Sequence, residues 1–228
     1  MTDLKDRLLD AALMHVPFDG WSEATLRAAA ADLGVPLADA RAACPRGAMD
    51  LAIAFHKRGD QAMLARIRAA DLGGMRFRDR VTMAVRARLE VIEDKEAVRR
   101  GATLFALPQN AATGARLIWG TADAIWTELG DTSEDINWYT KRATLSGVYS
   151  ATVLYWLGDT SPGHAATWDF LDRRIGEVMQ IEELKARARK SPVLSRLMTG
   201  PNWLGGRIRK PRGAARDDLP GSWAAPRR

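Results

Sequence analysis

Apolar residues recur at intervals of three and four along most of this chain, Pro and Gly fall between the periodic stretches, and no Val-, Ile- or Thr-rich run alternates for a useful length. That pattern predicts an all-α fold. The first helix is expected over residues 3–14, with Leu4, Leu8, Ala11 and Ala12 on one face, and the stretch 15–20 is expected to end it. Ser22 is placed to cap a second helix that Gly34 closes, Pro36 opens a short third, and a long fourth follows over 48–70. Further helices are expected at 76–93, 96–107, 110–129, 136–157 and 163–189. The eighth carries Leu145, Val148, Tyr149, Val153, Leu154 and Trp156, apolar nearly all round, which predicts a central, buried helix.

With 228 residues, 46% of them hydrophobic, the chain can bury a substantial core, which excludes wholesale disorder. Its formal charge of +6 is local: residues 189–228 hold 10 basic and 2 acidic side chains, against 24 and 26 in the rest. A near-neutral body with a basic tail reads as a surface-seeking appendage on a folded unit rather than a domain striped for nucleic acid. Cys44 is the sole cysteine, so no internal disulfide or cysteine-built zinc site is expected, in keeping with a reducing compartment. Residues 1–16 are amphipathic and carry acids early, unlike a signal or transit peptide, so residue 1 is read as the mature start. The longest uncharged run, 143–158, is 16 residues, short of the ~20 that a membrane span needs. Arg outnumbers Lys 27 to 7, which suggests GC-rich coding and a bacterial source.

Little here points to catalysis. His15, His56 and His164 lie 41 and 108 residues apart, too scattered to predict a metal site, and no phosphate loop, nucleophile elbow or assigned Cys base is present. The stretch AAADLGVPLADARAACPRGAMDLAIAF, 29–55, has the helix-turn-helix spacing of the tetracycline-repressor (TetR) type. Its third helix, however, offers Asp39, a lone Arg41 and alanines where a DNA reader needs side chains that reach phosphates and base edges. No specific nucleic-acid binding is expected.

Aromatics concentrate between 119 and 168: Trp119, Trp126, Trp138, Trp156 and Trp168, with Tyr139, Tyr149 and Tyr155 among them. Such residues either fill a core or line a cavity for a long apolar ligand. Trp138 and Tyr139 sit at a helix start beside Arg142, a combination that interfaces favour. In the tail, Val193, Leu194, Leu197, Met198, Trp203, Leu204 and Ile208 gather on one side if helical, opposite Arg196, Arg207, Arg209 and Lys210. A basic, Trp-bearing amphipathic segment suits a membrane interface; the competing reading packs it on the body or on a second subunit.

Three stretches resemble one family in particular: HVPFDGWSEATLRAAA (15–30), CPRGAMDL with FHKRGD (44–60), and TADAIWTELGDTSEDINWYTKRATLSGVYSATVLYWLGDTSPGHAATWDFLDRRI (121–175). Together these residues are similar to the lipid-binding accessory proteins of coenzyme Q (ubiquinone) biosynthesis, the ninth of the yeast Coq proteins and its bacterial relatives. The resemblance covers about residues 8–189. It implies a TetR-like fold without repressor activity, a homodimer, an internal isoprenoid or phospholipid pocket, a membrane-touching C-terminal helix, and no catalytic activity or cofactor. It also implies a partner, the demethoxyubiquinone hydroxylase or an equivalent quinone hydroxylase.

Carried over by position, the resemblance assigns partner contact to Asp123, Trp126, Asp135, Asn137, Trp138, Tyr139 and Arg142. Pocket positions are Leu89, Leu104, Leu107, Leu117, Ile118, Ile125, Val148, Tyr149, Val153 and Trp156. The expected organisation is a TetR-like N-terminal region with its connecting helix (1–70), a lipid-binding bundle (71–190), the amphipathic segment (191–210) and a basic tail (211–228). The corresponding location is the cytoplasmic face of a bacterial inner membrane. The alternative function is a ligand-responsive TetR-type regulator.

Overall fold

Short polar side chains start the helices where the sequence places them. Ser22 Oγ accepts from the Thr25 amide at 3.3 Å, Asp94 accepts from the amides of Glu96 and Ala97, and Asp135 accepts from that of Asn137 at 2.9 Å. The computed structural model describes residues 3–190, and those residues form ten α-helices and one 3₁₀ turn with no strand. In chain order they are α1 (Leu4–Leu13), α2 (Val16–Asp19), α3 (Glu23–Asp32), α4 (Leu37–Ala43), α5 (Ala48–Ala69), α6 (Phe77–Glu90), α7 (Lys95–Ala106), α8 (Ala111–Glu128) and α9 (Ile136–Gly158). The 3₁₀ turn Pro162–His164 then leads into α10 (Ala165–Lys190).

Besides shifts of one residue, three boundaries differ from expectation. Helix α6 ends at Glu90 rather than at 93, the chain leaving it through the bonds Val91 N–Ala87 O and Ile92 N–Leu89 O. The stretch 15–20 is itself a single helical turn, α2, closed by a bond from the Gly20 amide to Val16 O and held by Arg100 donating to Pro17 O at 2.8 Å. The last helix starts two residues later than expected, because Gly163 and His164 both adopt positive φ and form a separate turn. Asp159, Ser161 and Thr167 fasten that corner: the Asp159 carboxylate accepts from the Ser161 and Thr167 amides and from the Thr167 hydroxyl.

Apolar side chains form two clusters. The first joins Leu8, Leu9, Val16, Trp21, Leu26, Ala40, Cys44 and Leu51 across α1 to α5, and reaches Ala97 of α7. The second joins Met63, Ile67, Val85, Leu89, Ile125, Leu145, Tyr149, Trp156 and Leu171 across α5, α6, α8, α9 and α10. Helix α5 is therefore shared, its first turns packed in one cluster and its last turns in the other. The Trp21 indole donates to Ala97 O at 3.0 Å inside the protein, a polar tie between α7 and the N-terminal helices.

Helix α9 is not buried on every side. Leu154 is 66% exposed and Tyr155 41% exposed, while Leu145, Val148, Tyr149 and Trp156 face inward. Hydropathy alone does not separate a core face from an apolar face left toward solvent. Among the described residues no helix is long and apolar enough to cross a membrane. The tail positions Val193, Leu194, Leu197, Met198, Trp203, Leu204 and Ile208 lie outside the described residues.

Helices α5 and α6 approach closely at Gly59, where an added Cβ would come within 2.5 Å of Arg88 Nη1. The Arg88 guanidinium is pinned to Asp60 and to His56 O and does not swing aside freely. Gly59→Ala should therefore destabilise the fold by about 1–3 kcal/mol through overpacking. Gly120→Ala, in α8 with nothing near its would-be Cβ, should stabilise by roughly 0.5–1 kcal/mol. Denaturant midpoints of the two variants, moving in opposite directions at constant slope, check this.

Candidate functional site

Where α5, α6, α7, α8 and α9 meet, the side chains leave a cavity of about 410 Å³. Its walls are Ala52, Phe55, Ile92, Ala97, Val98, Gly101, Ala102, Phe105, Gly114, Ala115, Leu117, Ile118 and Val153, with Trp21 at one side. Small residues make the room: α7 contributes Ala97, Gly101, Ala102 and Ala106, and α8 contributes Ala111, Gly114 and Ala115. The exposed Leu154, Ala106, Ala111 and Ala115 also line it, so its apolar surface continues to solvent-exposed side chains.

The lining turns polar at His56, Arg88 and Tyr149. His56 Nε2 lies 2.9 Å from Thr121 Oγ1, Thr121 Oγ1 lies 2.9 Å from Asp60 Oδ1, and Arg88 Nε donates to the same Oδ1 at 2.7 Å. With the Thr121 hydroxyl proton directed to Asp60, the His56 proton sits on Nε2. Arg88 Nη2 closes the network on His56 O at 3.0 Å. Arg88 is only 3% exposed, so its charge depends on Asp60. Burial drives the His56 imidazole down to about 4, Asp60 opposing and Arg88 adding to the fall, and burial pushes the Tyr149 phenol up. Near neutral pH both rings are therefore uncharged. The i,i+4 pair His56–Asp60 was legible as spacing within FHKRGD, yet scattered histidines alone gave no reason to single it out.

Of the ten expected pocket residues, Leu117, Ile118, Tyr149 and Val153 line this cavity. Leu89, Ile125 and Trp156 are instead packed into the second cluster, and Leu104 packs against the first. Leu107 is exposed at the end of α7. Val148 faces a second groove of about 220 Å³ between α6, α8, α9 and α10, together with Phe77, Val81, Trp126, Asn137, Thr144 and Ile175.

The partner-contact positions gather on one side of α8 and the start of α9. Trp119, Trp138 and Tyr139 form a half-buried triad, with Trp138 and Tyr139 edge-on at 4.8 Å and Trp119 5.9 Å from Trp138. Trp126 stacks on Phe77 at 5.5 Å and donates its indole N–H to Lys141 O. Asp135 caps α9 and accepts from Asn137 Nδ2. Arg142 does not project outward as its neighbourhood in sequence suggested. It is 2% exposed, bound to Asp123 and to Asp131, and lies 4.1 Å beneath the Trp138 ring. Burial opposes the charge of Asp131, but hydrogen bonds from Lys141, Arg142 and Ser133 outweigh it and hold that carboxyl well below its usual range. Arg142 thus packs under one member of the aromatic triad, Trp138, and donates to its carbonyl.

Elsewhere, the outer face of the would-be reading helix α4 shows Ala38, Asp39, Ala42 and Arg41, the last exposed but paired with Glu23 of α3. Among the described residues no three His, Cys, Asp or Glu side chains converge as a metal site.

Two outcomes follow from the buried charges. His56 carries a folded-state pKa below its unfolded value of about 6.5. Its contribution to stability is complete above that value and is lost as pH falls toward 4, by up to about 3 kcal/mol. Unfolding free energies measured between pH 7 and 4 should show this decline, and His56→Gln should flatten it. Arg142→Met removes one of the two cations on Asp131, leaving Lys141 and Ser133 to hold the carboxylate, and should cost about 1.5–3 kcal/mol, read as a drop in Tm with the far-UV helical signal unchanged at low temperature.

A family model described as COQ9 matches residues 111–182. The mitochondrial ubiquinone biosynthesis protein COQ9 of Drosophila melanogaster is 33% identical over 184 residues, covering 78% of this chain and 56% of that protein. Its Rattus norvegicus counterpart is 32% identical over 189 residues, covering 78% and 59%. The chain thus spans a little under three fifths of these relatives. Among solved structures, a TetR transcriptional regulator from Nitrosomonas europaea superposes with a TM-score of 0.63 at 19% identity, over 76% of this chain and 97% of that one. At that identity the likeness concerns the fold alone.

Proposed function

This chain belongs to the COQ9 family and has a TetR-like fold, and on that premise we propose that it serves ubiquinone biosynthesis as a non-enzymatic lipid-binding protein. In this reading it holds isoprenoid quinone intermediates in the cavity between α5 and α9. It presents them, as a homodimer at a membrane surface, to a quinone hydroxylase of the kind that acts on demethoxyubiquinone. The observation that carries the reading is the cavity itself: about 410 Å³ of mostly apolar space opening past exposed apolar side chains. Pockets of this size and lining suit ligands whose binding comes from apolar burial, with a few polar groups for orientation.

The aromatic triad over Arg142 supports the second half of the proposal. Half-buried Trp and Tyr side chains held rigid from below lose little freedom on docking, which favours them as binding anchors. The tail residues Val193, Leu194, Leu197, Met198, Trp203, Leu204 and Ile208 are proposed as the membrane contact on their composition. A repressor role receives no comparable support, because the exposed face of α4 carries Ala38, Asp39 and Ala42 and a single cation, Arg41.

Ala102→Phe tests the lipid site. A phenyl ring on α7 would occupy the cavity, so prenyl quinone binding should fall at least tenfold while the helical content is retained. Unchanged binding by the folded variant would remove the cavity from the account. Trp138→Ala tests the docking surface: capture of the hydroxylase should weaken by about thirtyfold, the scale of a 2 kcal/mol anchor, with lipid binding unaltered. Equal capture by variant and parent would remove the triad from it.

A further inference from the structure

The cavity has two unlike ends, and the difference bears on which way a ligand lies. Toward solvent its lining is hydrocarbon, with Leu154, Ala106, Ala111 and Ala115 exposed along it. Inside, His56, Arg88 and Tyr149 come to the surface of the space from α5, α6 and α9. A saturated or prenyl chain packed against those groups can form no hydrogen bond with them. An oxygen acceptor can take a hydrogen bond from a donor among them. The Tyr149 phenol, like any tyrosine hydroxyl near neutral pH, carries its proton and can donate it to an acceptor in the cavity that it lines. Volume points the same way, since about 410 Å³ lies toward the small end of the ~300–1,000 Å³ typical of drug-sized ligands. Such a space takes one end of a long lipid.

Resting on the lipid-binding reading above, we propose that the cavity takes its ligand oxygenated end first. The ligand class is a ring or head bearing hydrogen-bond-accepting oxygens joined to a prenyl-type tail. The oxygens meet the Tyr149–Arg88–His56 floor, and the tail leaves along Leu154 and the α7–α8 alanines. This is the held state, and delivery to another protein then withdraws the head from the floor through the same mouth. Tyr149 is a specificity-determining residue in this arrangement, because it can donate to a carbonyl and has nothing to offer a hydrocarbon.

The test is calorimetric titration of the full chain with two probes of equal tail: a benzoquinone carrying two isoprene units, and geranylbenzene, which has no oxygen. The parent protein should bind the quinone about tenfold more tightly. Tyr149→Phe keeps the ring and its packing. It should weaken quinone binding about three- to tenfold, the worth of one hydrogen bond, and leave geranylbenzene unchanged. Arg88→Met, where it folds, should act in the same sense. Equal affinity for the two probes would overturn the proposal and leave the lipid reading intact. So would a quinone preference that survives Tyr149→Phe, or a variant that loses both probes equally. Failure of the parent to bind either probe would overturn both readings together.

Discussion

One partly buried carboxylate, Asp60, organises the centre of this protein. It sits one turn beyond His56 on α5, accepts from Arg88 of α6 and Thr121 of α8, and so joins three helices at the polar end of the cavity. Removing it would leave Arg88 as an uncompensated charge in the interior, a loss that apolar contacts nearby cannot offset. The network is directional in a way that hydrophobic packing is not: it fixes the register of α5 against α6 and α8. Once that register is set, the small residues of α7 and α8 fall opposite one another and the space between them stays open.

A second buried cation does related work two residues further along α8. Arg142 joins α9 to Asp123 of α8 and to Asp131 in the loop between them, and supports Trp138 from beneath. The two networks share a logic. Each keeps a charged side chain inside by pairing it across helices, and each borders a surface on which ligand or partner contact is proposed. Polar interiors of this kind specify one arrangement of helices where apolar contacts alone would tolerate several.

Much of the helical layout was legible because its signals are local. Ser22 caps α3 as its position predicts, and Gly34, at positive φ, ends the same helix. The one-turn α2 was not, since it is held by Arg100 from a helix more than eighty residues away. The cavity walls were hard to read for a different reason. A search for large apolar side chains finds those that fill space, and Leu89, Ile125 and Trp156 do so. Open space is built by Gly101, Ala102 and Ala115, whose contribution is the atoms they lack, while Gly114 lets Phe105 of α7 pack close against α8. Arg142 looked like a surface residue because Asp123 and Asp131, which bury its charge, converge on it only in three dimensions.

The account's central claim is that the space between α5 and α9 belongs to a lipid. Mass spectrometry of organic extracts from the protein, purified without detergent and shown to be folded, tests it directly. The account predicts an isoprenoid lipid or phospholipid at close to one per chain, displaced by an added short-chain prenyl quinone. A folded protein that yields no lipid and takes up no prenyl quinone would contradict it.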